Sequence, residues 1–130
     1  MPTQTIVISP ATERRIREKF KRPTEARSAF DATSWRQYLV EFLGALFFIY
    51  TATGAVVSVN FVGPVNSGAV AVIGLAFGLS LAAMIYAAAN ISGGHINPAV
   101  TIGFIVTKKI FVLKGFFYIF AQLAGAMVGS

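Results

Sequence analysis

From Phe42 to Thr107 the chain holds no Asp, Glu, Lys or Arg. One buried helix does not run that far, whereas a helix crosses a bilayer in about 20 residues. The run therefore reads as membrane spans joined by uncharged turns. His95 is the one side chain within it that titrates near neutral pH. Composition agrees. Of the 130 residues, 55% are hydrophobic and 12% charged, about half the charged share of a soluble domain.

Hydropathy and turn chemistry divide the chain. Residues 1–34 form a polar, basic arm. Within it, Thr12 to Lys21 reads as a short basic helix with Ile16 and Phe20 on one face, or as a solvated tail, which is the favoured reading; Pro23 ends any such helix. The first span is expected at about 35–59, with Trp35 and Tyr38 at the interface. A turn-rich loop follows, holding Gly63, Pro64, Asn66 and Gly68. The second span is expected at about 69–90 and the third at about 113–130. Gly74 and Gly78, and again Gly125 and Gly129, stand four apart, a spacing that lets helices approach closely. Residues 91–107 are apolar enough to stay at membrane depth but too short to cross. The expected fold class is an all-α membrane protein, with three transmembrane helices and one re-entrant half-helix.

The charges set the orientation. Arg14, Arg15, Arg17, Lys19, Lys21, Arg22, Arg27 and Arg36 precede or open the first span, against Glu13, Glu18, Glu25 and Asp31. Lys108, Lys109 and Lys114 follow the second. Two crossings separate these clusters, so both belong in the cytoplasm. The chain is then multi-pass with a cytoplasmic N-terminus, in the plasma membrane sooner than an internal one. The anionic inner leaflet of the lipid bilayer is the partner such charge fits. Nucleic acid is not expected, because the basic residues flank a membrane block. There is no cysteine, which removes disulfide and thiol chemistry. No cleavable signal peptide is expected, since the first apolar run begins late and is too long.

Asn90-Ile-Ser-Gly-Gly-His-Ile-Asn-Pro-Ala-Val-Thr-Ile-Gly103 carries the chemistry. Gly93 and Gly94 permit a tight backbone path. Asn97 is a strong N-cap, and Pro98 suits the first helical position. A half-helix from Pro98 to about Val106 then starts at membrane depth and ends at Lys108 and Lys109, which favour the negative end of its dipole. Its N-terminus, carrying roughly +0.5 charge, points toward the bilayer centre. Non-helical backbone at that depth is tolerated only inside protein or beside water. The carbonyls from Ser92 to Ile96 therefore need donors, and a file of water would serve. The sequon Asn90-Ile-Ser92 is discounted because it falls at the cytoplasmic end.

Ser-Gly-Gly-His-Ile-Asn-Pro-Ala-Val-Thr resembles the first Asn-Pro-Ala loop of the aquaporin family. Glu41-Phe-Leu-Gly44 is similar to the family's first span, Leu75-Ala-Phe-Gly-Leu79 to its second, and Tyr118-Ile-Phe-Ala-Gln122 with Gly125 to its third. The resemblance runs from about Trp35 to the end. It implies a pore of two inverted halves, each with one such loop, assembled as tetramers. On it, Asn97, Pro98, Ala99, Gly93, Gly94, His95 and Ile96 line the pore. Asn97 donates its amide to passing water, and Gly93, Gly94 and His95 present carbonyls. Phe77 matches the second-span member of the aromatic/arginine filter. Phenylalanine there and Gly94 before His95 resemble water-selective members, where glycerol channels more often have tryptophan and alanine. Repulsion of protons by the half-helix dipole is the accepted account for such pores.

Each of these residues has a plainer reading. Phe77 either lines the filter or faces lipid. Glu41 is either interfacial or, as preferred here, a buried carboxylate bonded to the loop, because an intramembrane acid normally has a partner. Gln122 reads as a buried helix-to-helix hydrogen bond, and His95 as structural. No enzyme, cofactor or metal site is expected. The second Asn-Pro-Ala loop and the filter arginine are absent, and Asn97-Pro98 is the one Asn-Pro pair. The expectation is half of a passive water channel, working only with a second half. The alternatives are a glycerol or small-neutral-solute channel, a non-conducting fragment that modulates full-length channels, and half of a secondary transporter.

Overall fold

In the computed structural model six segments among the described residues are helical: Pro10–Lys19 (α1), Glu25–Phe30 (α2), Ala32–Val62 (α3), Ser67–Ala88 (α4), Pro98–Val106 (α5) and Val112–Gly129 (α6). The structure describes residues 9–19 and 25–130, with side chains for 9–15 and 28–130, and there is no strand among them. Phe20 and Pro23 lie outside the described residues, as does the Ile16 side chain. Pro10 opens α1 with its ring-fixed φ, and the Thr12 amide donates to Ser9 Oγ at 3.3 Å. The described α1 side chains are exposed, so the stretch is helical and solvated at once.

α3 runs beyond the apolar stretch at both ends. The Asp31 carboxylate accepts from the Ala32 amide at 2.9 Å at its start, and Gly63, at φ 151°, ends it. Asn66 caps α4 by accepting from the Ala69 amide at 3.0 Å. α3, α4 and α6 are long and apolar enough to cross a membrane. The 18 residues of α6 rise about 27 Å against a hydrocarbon core of about 30 Å. α5, with 9 residues, is too short to cross.

α3 is the hub. It packs on α4 and α6, while α5 and α2 both lie against α6. At Gly125 and Gly129 a β-carbon would collide with the backbone of Phe42 and Leu46, so α6 approaches α3 only because both positions are glycine. A β-carbon at Gly74 or Gly78 would meet nothing within 4 Å; the close approach their spacing allows is not used among the described residues.

Burial is inverted relative to a soluble protein. The largest fully buried side chains are Tyr118, Gln122, Glu41, Thr101 and Ser34, all polar. Large apolar side chains such as Phe47, Leu75, Leu79, Phe116 and Phe120 face outward. Water would punish that arrangement, whereas a hydrocarbon surround accepts the apolar exterior and leaves the polar groups to pair internally.

Candidate functional site

The polar core is built around the segment joining α4 to α5. Past Ala88 the backbone winds once more: the Ile91 and Ser92 amides both donate to Ala88 O at 2.9 Å. Gly93 and Gly94 then adopt φ of 93° and 64°. A β-carbon at Gly94 would also stand 2.8 Å from Ile85 O, so glycine is required twice over, by angle and by space. Ile96 has φ 46°. For a β-branched residue that conformation is strained by about 1–3 kcal/mol, and it persists only where surroundings enforce it.

Glu41 provides the enforcement. It is 0% exposed, and its two carboxylate oxygens accept four hydrogen bonds. Oε1 receives the Ser92 hydroxyl at 2.6 Å and the His95 amide at 3.0 Å. Oε2 receives the Ile96 amide at 2.6 Å and Gln122 Nε2 at 2.7 Å. Three of the four donors belong to the loop and one to α6. A charge buried in this way is tolerable because every lone-pair direction meets a donor.

The network continues through Thr101. Gln122 Nε2 also donates to Thr101 Oγ1 at 3.0 Å. That hydroxyl stands 3.0 Å from His95 Nδ1 and 3.2 Å from Asn97 O. The His95 ring lies 4.3 Å from Phe104 and 5.2 Å from Tyr118, centroid to centroid. Two more side chains hold the start of the loop by its carbonyls. Gln37 Nε2 donates to Ile91 O at 2.9 Å, and the Tyr118 hydroxyl donates to Ser92 O at 2.8 Å.

Ser92 O is thus already satisfied by protein, which the sequence did not indicate. The carbonyls of residues 93 to 96 are different: among the described residues they accept no hydrogen bond. Four consecutive unpaired carbonyls lead to Asn97. Its Oδ1 accepts the Ala99 amide at 2.8 Å and so starts α5. Its Nδ2 has no partner among the described residues, and the side chain is exposed. Chemically the segment is a strip of acceptors ending in one donor and the positive end of a helix.

Glu41, Gln122, Gly94, His95 and Ile96 thus meet in one buried network, with Gly93, Asn97 and Ala99 exposed beside it and Pro98 half-buried. Phe77 stands apart from that network on α4, 38% exposed, its ring edge-on to Phe48 at 6.0 Å. Sequence reasoning missed Gln37, Ser92, Thr101 and Tyr118 as members. Two of them left a signal: Tyr118 lies four before Gln122, and Thr101 four after Asn97, both one helical turn.

The sequence profile of the Major intrinsic protein family matches residues 28–130. The chain is 43% identical over 98 residues to Aquaporin-4 of Mus musculus, covering 74% of this chain and 30% of that protein. It is equally 43% identical over 97 residues to the Lens fiber major intrinsic protein of Lithobates pipiens, covering 74% and 35%. Against Aquaporin-4 of Bos taurus it is 38% identical over 109 residues, covering 80% and 32%. The chain therefore spans about a third of the length of the curated relatives it matches. The loop that Glu41 clamps lies wholly within the matched region, and the chain belongs to the major intrinsic protein family, a family of membrane channels.

Proposed function

We propose that this chain supplies one half of a passive, water-conducting pore, whose other wall comes from a second half. The observation that carries the reading is the run of free carbonyls at residues 93 to 96, ending at the free amide of Asn97. Unpaired backbone acceptors in hydrocarbon cost several kcal/mol each. A single file of water removes that cost and is guided by the same groups. Asn97 Nδ2 donates to the water at the α5 N-terminus, so that molecule points its hydrogens away and cannot pass a proton along the file. The half-helix dipole adds repulsion for hydronium and other cations. Relatives named aquaporin support water as the permeant.

Phe77 is assigned to the narrowest part of the pore, where its ring excludes solutes wider than water. The chain is read as a channel component without catalytic activity. Ser28, Gln37, Lys109 and Lys114 line one cavity, so the end of the arm and the cations after α5 share one end of the bundle. That supports a cytoplasmic N-terminus and cytoplasmic Lys108 under the positive-inside rule; the plasma membrane is the membrane proposed. The open Gly74 and Gly78 face supports a further helix packing there, as a tetramer or a second half would provide.

Stopped-flow light scattering on liposomes holding the completed channel tests the reading. Water permeability above protein-free liposomes is expected, with a low activation energy and no proton leak. Glycerol flux equal to water flux would assign it to the solute-conducting type. Dependence on a proton gradient would assign it to a transporter.

A further inference from the structure

Phe48 and Phe77 form the one aromatic pair that joins α3 to α4 among the described residues, edge-on at 6.0 Å with an interplanar angle of 87°. The two rings are not held alike. Phe48 is half-buried and packs against the cluster of Ala45, Ala88 and Ile96. On a helix such a side chain leans back over the preceding turn, which here holds Gly44 and Ala45. A β-carbon at Gly44 would stand 2.8 Å from Ile96 Cδ1, so Ile96 fills the space that glycine leaves. Ile96 is in turn fixed by its amide bond to Glu41. Phe48 therefore rests on the clamped loop.

Phe77 has less support. Its preceding turn contains Gly74, which offers no side chain, and a β-carbon there would meet nothing within 4 Å. Leu81, Met84 and Ala88 follow Phe77 on one face of α4 at helical spacing. Leu81 and Met84 pack on the cluster and Ala88 belongs to it. Phe77 thus continues the stripe of α4 that faces the cluster, but it lies one turn beyond Leu81. What it meets there is the Phe48 ring.

We propose that Phe48 is a positioning residue for the size filter: its ring fixes the orientation of Phe77 and so sets which solutes pass. The proposal rests on Phe77 forming the narrowest part of the pore, as inferred above. A solute wider than water passes only when the Phe77 ring swings aside. An edge-on ring pair favours one orientation by about two- to tenfold. Without the Phe48 ring the swung-aside population rises by that factor, and glycerol flux rises with it. Water passes beside the ring in its resting position, so its flux changes little. The clamp on Ile96 thereby reaches the filter through one side chain.

The completed channel in liposomes tests this, with water and glycerol permeabilities read by stopped-flow light scattering and normalised to the protein inserted. Phe48→Leu keeps an apolar side chain but no ring. It should raise the glycerol-to-water ratio about two- to tenfold while water permeability holds. Phe48→Met, whose flexible side chain fills irregular gaps, should do the same and serves if leucine disturbs insertion. Phe48→Tyr, which keeps the ring, should retain glycerol exclusion. On a Phe77→Ala background Phe48→Leu should change the ratio no further, because its effect runs through Phe77. A further increase there would mean that Phe48 lines the passage itself, and would overturn the positioning role. So would glycerol exclusion that survives both ringless variants while Phe77→Ala abolishes it. Exclusion that survives Phe77→Ala too would instead overturn the filter assignment beneath the proposal. A fluorine probe reports the contact without transport: 4-fluorophenylalanine incorporated in place of Phe77 should change its resonance when Phe48→Leu removes the neighbouring ring current, and an unchanged spectrum would overturn the contact.

Discussion

Replacing Glu41 by glutamine changes one atom's chemistry and almost no volume, so its cost isolates the carboxylate. If Glu41 merely bridged helices, the expected loss would be small: hydrogen bonds between membrane helices average about 0.6 kcal/mol, and four amount to about 2 kcal/mol. The geometry predicts more. With the amide nitrogen placed at Oε1, the Ser92 hydroxyl can turn and accept, but the His95 N–H then faces another donor. With the nitrogen at Oε2, the Ile96 N–H is the one confronted, and Gln122 must give up Thr101 to adapt. Either way a buried backbone N–H is orphaned, at about 1–3 kcal/mol. The remaining bonds also fall from charged to neutral strength, so Glu41→Gln should destabilise the fold by about 3–5 kcal/mol. Equilibrium unfolding by SDS in mixed micelles measures the difference. Amide hydrogen exchange at His95 and Ile96 should accelerate in parallel. An unfolding free energy within about 0.5 kcal/mol of the parent, with exchange at Ile96 unchanged, would refute the clamp; the threshold is the noise expected of a neutral surface substitution.

Gly125→Val should cost at least about 3 kcal/mol, because the new side chain meets the Phe42 backbone and not a movable side chain; an unchanged unfolding midpoint would contradict the helix contact. In a completed channel Phe77→Ala should admit glycerol while water flux holds or rises, and continued exclusion at normal expression would remove Phe77 from the constriction. A cysteine at position 108 should resist impermeant thiol reagents added outside intact cells, and labelling there would reverse the orientation. The 130-residue chain alone should give no osmotic permeability above protein-free liposomes; flux that Asn97→Asp abolishes would mean that two copies can build a pore together.

The spans were legible because an uncharged run of this length has few physical solutions, and Gly-Gly with Asn-Pro read directly as a backbone turn and a helix start. The partners were less legible. Nothing in the sequence around Gln37 indicates that it reaches Ile91, which is 54 positions away. Tyr118 holds Ser92 O across 26 positions. Such contacts are set by how α3 and α6 cross, and the crossing depends on Gly125 and Gly129 fitting over Phe42 and Leu46. Spacing announces that glycines permit a close approach, but it does not say to which helix. Gly74 and Gly78 carry the same spacing and meet nothing.

Every donor to Glu41 comes from this chain, so the loop's unusual backbone does not wait for a second half to be set. The left-handed Ile96 would relax if its amide were free; bonded to a carboxylate that also holds Ser92, His95 and Gln122, it cannot turn without breaking several charge-assisted bonds together. Pre-organisation follows from that coupling. On the proposed reading, carbonyls at 93 to 96 held by that clamp need little reorganisation when a water molecule arrives. No opposite wall lies among the described residues, and free acceptors left facing hydrocarbon are a standing penalty. In the pore proposed here the division of labour is physical: this chain fixes the polar strip, and whatever covers it decides what can pass.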